Sequence, residues 1–235
     1  MSGGPIRARH ARWAEVLLEA YLNRAIARQF HGWRLRIDDA EGLAAHPGPW
    51  LFLPNHSSWW DGFVGFLLSR QWQRRFYVMM QLDQLQRYSF FARVGAFSID
   101  RSSPEAIQGD LAYAQDLLTK NEALWIFPQG ALLPAHAKPL KLATGAARLA
   151  LAVPQTRIVP VGIRLIFRHE AKPELFVRLG APLPPTPHHQ TPTELTVQIT
   201  EALTTTLAAL DEDLMRQEPE GYTWLRVPVR GWGPV

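Results

Sequence analysis

The chain has 235 residues, of which 47% are hydrophobic, and it carries a net charge of +4 with no cysteine. Its length predicts one domain, or one domain with an appendage, which can bury a full hydrophobic core without disulfides. Because the sequence contains no cysteine, a disulfide scaffold, an iron–sulfur cluster, a cysteine-ligated zinc and a cysteine acyl-enzyme are excluded.

The apolar runs of the sequence are short. Runs such as residues 63–68 and 149–153 fall well below the roughly 20 residues that span a bilayer. The first residues alternate arginine with small side chains, without the apolar centre of a signal peptide. We therefore expect a protein in the cytoplasm or peripherally attached to the cytoplasmic face of the cell membrane.

Positive charge is concentrated at the start of the chain. The first 36 residues hold seven arginines and two acidic residues, and they carry apolar side chains near helical spacing: Trp13, Val16, Leu17, Ala20, Tyr21, Leu22, Ile26 and Phe30. A basic amphipathic helix within residues 1–30 is typical of a membrane-surface anchor, since each arginine gains about 1 kcal/mol near anionic lipid. A helix packed on the domain with its charged face in solvent explains the pattern equally well. No base-reading motif is present, so we expect no nucleic-acid partner.

The remaining residues, 31–235, alternate strand and helix patterns and predict a single domain. Apolar runs predict strands over residues 33–37, 50–53, 76–80, 95–100, 123–127, 157–167 and 175–179. Helical patterns predict helices over residues 59–72, 85–94, 104–120, 140–153 and 193–216, with a proline-rich connector over 182–192. The predicted fold class is α/β, with a mixed, mostly parallel central sheet flanked by helices and preceded by the N-terminal amphipathic helix.

A histidine and an aspartate five positions apart, His56 and Asp61, give the strongest chemical signal. On one continuous helix, five residues would separate the two side chains by about 140°, so they would not meet. They can meet if His56 precedes the helix and Asp61 lies in its early turns, a boundary that Ser57 and Ser58 predict as capping residues. Asp61 would then fix the imidazole tautomer and leave the other nitrogen as a general base. A purely structural hydrogen bond is the alternative interpretation.

Four segments, each near the end of a predicted strand, together resemble the glycerolipid acyltransferase family, which includes 1-acyl-glycerol-3-phosphate acyltransferase. Residues 55–61 (NHSSWWD) resemble the NHxSxxD form of its HX4D motif, and the others are residues 95–101 (GAFSIDR), 127–130 (FPQG) and 159–161 (VPV). The resemblance covers about residues 30–180. It implies transfer of a fatty acyl group from acyl-CoA or acyl carrier protein to a lipid hydroxyl of the lysophosphatidate type, without a cofactor.

The resemblance also implies roles for individual residues. His56 and Asp61 form the catalytic pair, and the positions matched to substrate binding are Asn55, Ser58, Arg101, Gln129 and Gly130. Arg101 matches a phosphate-contacting arginine, and backbone N–H groups near Gly130 are candidates for stabilising an oxyanion. We expect no metal site, because His188 and His189 have no third ligand nearby in the sequence.

The third segment departs from the family pattern. Gln129 replaces a glutamate, and Ala131 and Leu132 stand where threonine and arginine are usual. Losing that arginine removes a phosphate partner worth about 1.5–3 kcal/mol, which Lys138, Lys141 or Arg148 could replace. Otherwise the acceptor is a lipid without a phosphate, such as a carotenoid glycoside. A lipid hydrolase and an inactive lipid-binding module are the remaining alternatives.

Overall fold

The computed structural model describes residues 4–46, 48–184, 190–216 and 219–225. The helices are α1 Arg12–Gln29, α2 Ala40–Ala45, α3 Asp61–Gln71, α4 Leu82–Arg87, α5 Pro104–Thr119, α6 Gly145–Ala152 and α7 Pro192–Leu214, with a 3-10 helix at Ser89–Val94. The strands are β1 Gly32–Ile37, β2 Trp50–Pro54, β3 Phe76–Gln81, β4 Ala96–Ile99, β5 Ala123–Trp125, β6 Arg157–Ile166, β7 Glu174–Leu179 and β8 Thr223–Trp224.

All of these strands belong to one sheet, in the order β4-β3-β5-β2-β6-β7-β1-β8. The five strands from β4 to β6 run parallel, β7 is antiparallel to β6, and β1 is parallel to β7. The prediction of a mixed, mostly parallel sheet flanked by helices is therefore confirmed. Because the five strands share one direction, the segments that follow β2, β4 and β5 meet at one edge of the sheet.

Strand β2 shows why the sheet carries helices on both faces. All five of its residues are buried, and alternate side chains of a strand point to opposite faces. Trp50 and Phe52 pack on the face covered by α1 and α3, whereas Leu51 and Leu53 pack with residues of α5, α6 and α7. A continuous apolar run is thus required for a strand covered on both sides.

The structure differs from the predicted elements at several helices. The helix predicted over residues 140–153 begins only at Gly145, because the preceding residues belong to a loop in which Ala143 N–H donates to the Pro128 carbonyl at 2.8 Å. The helix predicted over residues 85–94 is divided into α4 and the 3-10 helix. The short α2 and β8 are not predicted, and His188 and His189 lie outside the described residues.

Helix α1 has two apolar faces. One packs into the core through Ala14, Leu18, Leu22 and Ala25. The other leaves Trp13, Val16, Leu17 and Tyr21 each more than half exposed. Packing and surface exposure therefore both occur, on different faces of the same helix, and the division of the chain at residue 30 stays a prediction.

No helix within the described residues is both long enough and apolar enough to cross a membrane.

Two glycines of α3 differ sharply in the space around them. A Cβ at Gly65 would overlap the Phe76 ring and lie 2.8 Å from Trp125 Cδ2, whereas a Cβ at Gly62 meets nothing within 4 Å. We expect Gly65→Ala to lower the free energy of unfolding by about 1–3 kcal/mol through overpacking. The matched control Gly62→Ala should raise it by up to about 1 kcal/mol, since alanine favours the helix. Urea unfolding measures both, and equal effects would contradict the close packing of α3 on the sheet.

Candidate active site

His56 and Asp61 meet at the edge of the sheet where the parallel strands end. His56 lies in the loop after β2, and Asp61 is the first residue of α3. The distance from His56 Nδ1 to Asp61 Oδ2 is 3.2 Å. Since a carboxylate only accepts, Nδ1 carries the hydrogen in the neutral ring and Nε2 has the free lone pair. The ring stacks on Phe127, with centroids 4.0 Å apart, which fixes its plane.

The Asp61 side chain is fully buried and receives several donors. Oδ2 accepts the backbone N–H groups of Ser57 at 2.6 Å and Ser58 at 2.8 Å, and Oδ1 accepts the Ser58 hydroxyl at 2.6 Å. The expectation that the two serines cap α3 is wrong, because Trp60 is the N-cap residue and no side chain caps the helix. Both serines instead donate hydrogen bonds to the Asp61 carboxylate, whose burial removes it from solvent.

Two amides hold the His56 loop to neighbouring segments. The Asn55 side chain, 3% exposed, accepts from Ile163 N–H at 2.7 Å and donates to the Ile163 carbonyl at 3.2 Å. Gln129 Oε1 accepts the backbone N–H of His56 at 2.8 Å, and the His56 carbonyl accepts from Leu133 N–H at 2.9 Å. Asn55 and Gln129, predicted to contact substrate, thus bind backbone groups of the protein, those of Ile163 and the N–H of His56 respectively.

His56 lines a cavity of about 330 Å³. The cavity runs along β3 beneath α1, α3 and the 3-10 helix, and most of its lining is apolar, including Leu18, Phe63, Phe66, Val78, Met80 and Phe91. Trp59 and Leu132 line it too, and their exposed fractions of 47% and 56% place them at its mouth. An apolar cavity that reaches a histidine is suited to an extended hydrocarbon chain.

Arg101 is the one lysine or arginine among the described residues that line this cavity. Its guanidinium lies against Gly130, where an added Cβ would come within 2.5 Å of Nη2, and Gly130 has a left-handed φ of +71°. The Gly130 N–H donates to the Phe127 carbonyl at 3.1 Å, so it is already engaged within the turn. Lys138 and Lys141 are exposed in the segment before α6 and do not line the cavity.

A family model described as Acyltransferase matches residues 34–164, more than half of the chain. The chain belongs to the acyltransferase family. This match confirms the predicted family and assigns the protein to the O-acyltransferases.

Among solved structures, this acyltransferase is similar to the crystal structure of the 1-acyl-sn-glycerophosphate (LPA) acyltransferase, PlsC, from Thermotoga maritima. The TM-score is 0.59 at 16% sequence identity, covering 87% of this chain and 81% of that chain, which shows a shared fold. The comparison with curated protein sequences finds no match.

Several residues of the candidate site were not predicted from the sequence. Phe127, which stacks on His56, directly precedes the Pro-Gln-Gly segment. It could have been recognised in the sequence as an aromatic residue at the end of a predicted strand. Phe76, Val78 and Met80 alternate along β3 and all line the cavity, which a period of two places on one face. Leu18 reaches the cavity from α1 and has no comparable local signal.

The contact between Gln129 and His56 predicts how substitutions at this position behave. Gln129→Glu keeps an acceptor oxygen for the His56 N–H, whereas Gln129→Leu leaves that half-buried donor unpaired. We expect Gln129→Leu to cost about 1–3 kcal/mol of stability and to lower activity, and Gln129→Glu to preserve the fold. Urea unfolding and acyl-transfer assays on both variants check this. If Gln129→Leu matched the wild type in both assays, the positioning role of Gln129 would be rejected.

Proposed function

We propose that this acyltransferase moves a fatty acyl group from an acyl-CoA or acyl carrier protein thioester to the hydroxyl of a lysophosphatidate-type lipid at a membrane surface. The observation that carries the proposal is the His56–Asp61 pair at the end of an apolar cavity. The cavity accommodates the hydrocarbon chain, and the pair supplies the proton chemistry that ester formation needs.

His56 is the proposed general base. Its Nε2 takes the proton of the acceptor hydroxyl as the oxygen attacks the thioester carbonyl, and the tetrahedral intermediate then expels the thiolate, which takes up that proton from the His56 imidazolium. Asp61 holds the imidazole through Nδ1 and stabilises the imidazolium that forms. This reaction needs neither a covalent acyl-enzyme nor a metal or cofactor.

Arg101 is the proposed contact for the acceptor phosphate. A guanidinium pairs with phosphate through two parallel hydrogen bonds, and this one lies at the cavity wall near His56. Ser58 is proposed to hold Asp61 through its hydrogen bonds, and Gly130 to leave room for the Arg101 guanidinium. Neither is proposed to contact the substrate directly. The exposed Lys138 and Lys141 remain candidates for the headgroup of a lipid or of the donor.

A second candidate acceptor is a lipid without phosphate, such as a glycosylated one. It is favoured by Ala131 and Leu132, which line the cavity next to Gly130 with apolar surface where an arginine would supply a charge. A phosphate-bearing acceptor would pair with Arg101, whereas an acceptor without phosphate would not. Comparing the rates of transfer to lysophosphatidate and to a neutral glycolipid therefore decides between them.

The role of His56 is tested by His56→Ala. Without the base, we expect the rate of transfer to fall by about 100- to 10,000-fold while the fold is retained. His169, which follows β6, is exposed and does not line the cavity. It provides the control His169→Ala, which should leave the rate unchanged. Turnover of labelled acyl-CoA with lysophosphatidate, glycerol phosphate and a neutral glycolipid gives the rate and the acceptor together.

The products separate the proposal from its alternatives. Acylated lysophosphatidate that disappears in His56→Ala supports the proposed reaction. Free fatty acid without acylated lipid would identify a hydrolase, and lipid binding without turnover on any acceptor would identify an inactive module. Near-normal turnover by His56→Ala would reject the mechanism.

Membrane attachment is proposed to use the exposed face of α1. This face, formed by Trp13, Val16, Leu17 and Tyr21, is flanked by exposed arginines, including Arg12 and Arg24. Aromatic contacts connect it to the mouth of the cavity: Trp13 to Phe90 at 6.2 Å, Phe90 to Phe91 at 6.1 Å and Phe91 to Trp59 at 5.9 Å. A lipid could therefore pass from the bilayer surface to His56 along continuous apolar surface.

The attachment is tested by Leu17→Glu, because deleting α1 would also remove the buried Leu18 and Leu22 from the core. We expect about tenfold weaker binding to anionic vesicles, from lost apolar burial and added negative charge. Val197 on α7 is similarly exposed, so Val197→Glu is the matched control and should bind like the wild type. Sedimentation with vesicles measures binding, and added salt should weaken that of the wild type. Equal binding by both variants would contradict the use of α1.

A further inference from the structure

A second cavity lies beneath α3 at the opposite end of the parallel strands. It has a volume of about 280 Å³ and is lined by the start of β2, β3 and β5, the end of α3, and α2. Phe76 lines both cavities, and its ring packs against the backbone of Gly65. The second cavity is therefore separated from the site around His56 by Phe76, and nothing in the proposed reaction uses it.

The wall of the second cavity is aromatic. Phe52 is at its centre, with ring centroids 6.0 Å from Trp50, 5.8 Å from Trp72 and 5.7 Å from Trp125. All four side chains line the cavity. Rings at these distances form a continuous apolar surface suited to an alkyl chain.

Two buried polar atoms of this lining have no hydrogen-bond partner among the described residues: Trp125 Nε1 and His46 Nε2. Trp125 is 2% exposed, and an unpaired buried donor of this kind costs about 1–3 kcal/mol. An indole N–H only donates, so a ligand that satisfied it would have to bring an acceptor atom. The pKa of His46 is lowered by burial and then by the charge of Arg157, which favours the neutral ring.

The charged groups of the lining have one sign. Arg74 and Arg75 line the cavity, and no aspartate or glutamate does so among the described residues. Arg75 forms an ion pair with Glu122 at 3.7 Å and a hydrogen bond with Tyr77, both outside the lining, and its side chain remains 67% exposed. The combination of an aromatic wall and two guanidinium groups complements a molecule with an apolar chain and an anionic end.

We propose that the second cavity binds an anionic amphiphile, with a carboxylate or phosphate near Arg74 and Arg75 and an alkyl or acyl chain along the aromatic wall. A free fatty acid and a lipid phosphate share this chemistry. The site is independent of acyl transfer at His56, so it stands or falls separately from the proposed function.

The test measures binding of dodecanoate, dodecyl phosphate and dodecanol to the full chain by calorimetry, below the concentrations at which they aggregate. The background variant Gly62→Leu places a side chain in the catalytic cavity, where Gly62 has open space, and so removes binding there. In that background, Ala44→Trp fills the second cavity from the exposed face of α2 and should weaken dodecanoate binding at least about tenfold. The control Ala208→Trp, exposed on α7, should leave it unchanged.

The charge is tested by Arg75→Gln, which we expect to weaken dodecanoate binding about two- to fivefold because this arginine is largely exposed. Arg9→Gln, exposed near the N-terminus, is its control. Dodecanol should bind at least about tenfold more weakly than the anions, and the tighter of dodecanoate and dodecyl phosphate identifies the headgroup. Unchanged binding in Ala44→Trp, or dodecanol binding as tight as the anions, would overturn the proposal. If Ala44→Trp does not fold, Arg75→Gln and the dodecanol comparison decide.

Discussion

The buried carboxylate of Asp61 is the constraint on which the site depends. A charge removed from water is tolerated only when donors replace its hydration, and here two backbone N–H groups, one hydroxyl and the His56 ring do so. Since three of these donors come from the Ser57–Ser58 backbone and side chain, the loop has little freedom to move without leaving the charge unpaired. The orientation of His56 is thus a consequence of satisfying Asp61, and the cost of burying the carboxylate is offset by the same contacts that position the imidazole.

The sheet carries this constraint to the other segments of the site. Asn55 joins the end of β2 to β6, and Gln129 and Leu133, which follow β5, bond the backbone of His56 on its two sides. These contacts require β5, β2 and β6 to be neighbours in register, as the parallel sheet provides. If one strand shifted by a single residue, its side chains would turn to the opposite face of the sheet, and all of these hydrogen bonds would be lost. The chemistry therefore depends on long-range strand pairing as much as on the short motif that contains His56 and Asp61.

Features that local sequence patterns determine were predicted, whereas contacts that depend on the pairing of distant strands were missed. Apolar runs such as residues 50–53 located the strands, and the helical angle between His56 and Asp61 correctly required a loop before the helix. Ser57 and Ser58 were misassigned because a residue that caps a helix and a residue that donates to a nearby carboxylate occupy the same positions in a sequence. In the structure, both serines donate hydrogen bonds to Asp61. The bond from Gln129 to the His56 backbone spans 73 residues and has no local signal. Helix α1 was predicted with a single apolar face that included both Trp13 and Leu22, whereas the structure exposes Trp13 and buries Leu22, because which residues face the core depends on the sheet beneath the helix.

The exchange of glutamate for glutamine in the third segment has different consequences for geometry and for charge. The group that Gln129 holds is a neutral backbone N–H, which needs one acceptor oxygen and no negative charge, so the amide preserves the position of His56. A carboxylate at this position would add a negative charge one residue away from Gly130, against which Arg101 packs, and would offset part of the positive charge of that guanidinium. With glutamine there, one competing charge is absent, and the positive potential of Arg101 acts more strongly on whatever enters the cavity. For the proposed phosphate-bearing acceptor, the departure from the family pattern thus has two opposing consequences: the arginine after Gly130 is missing, and Arg101 has one fewer carboxylate to compete with.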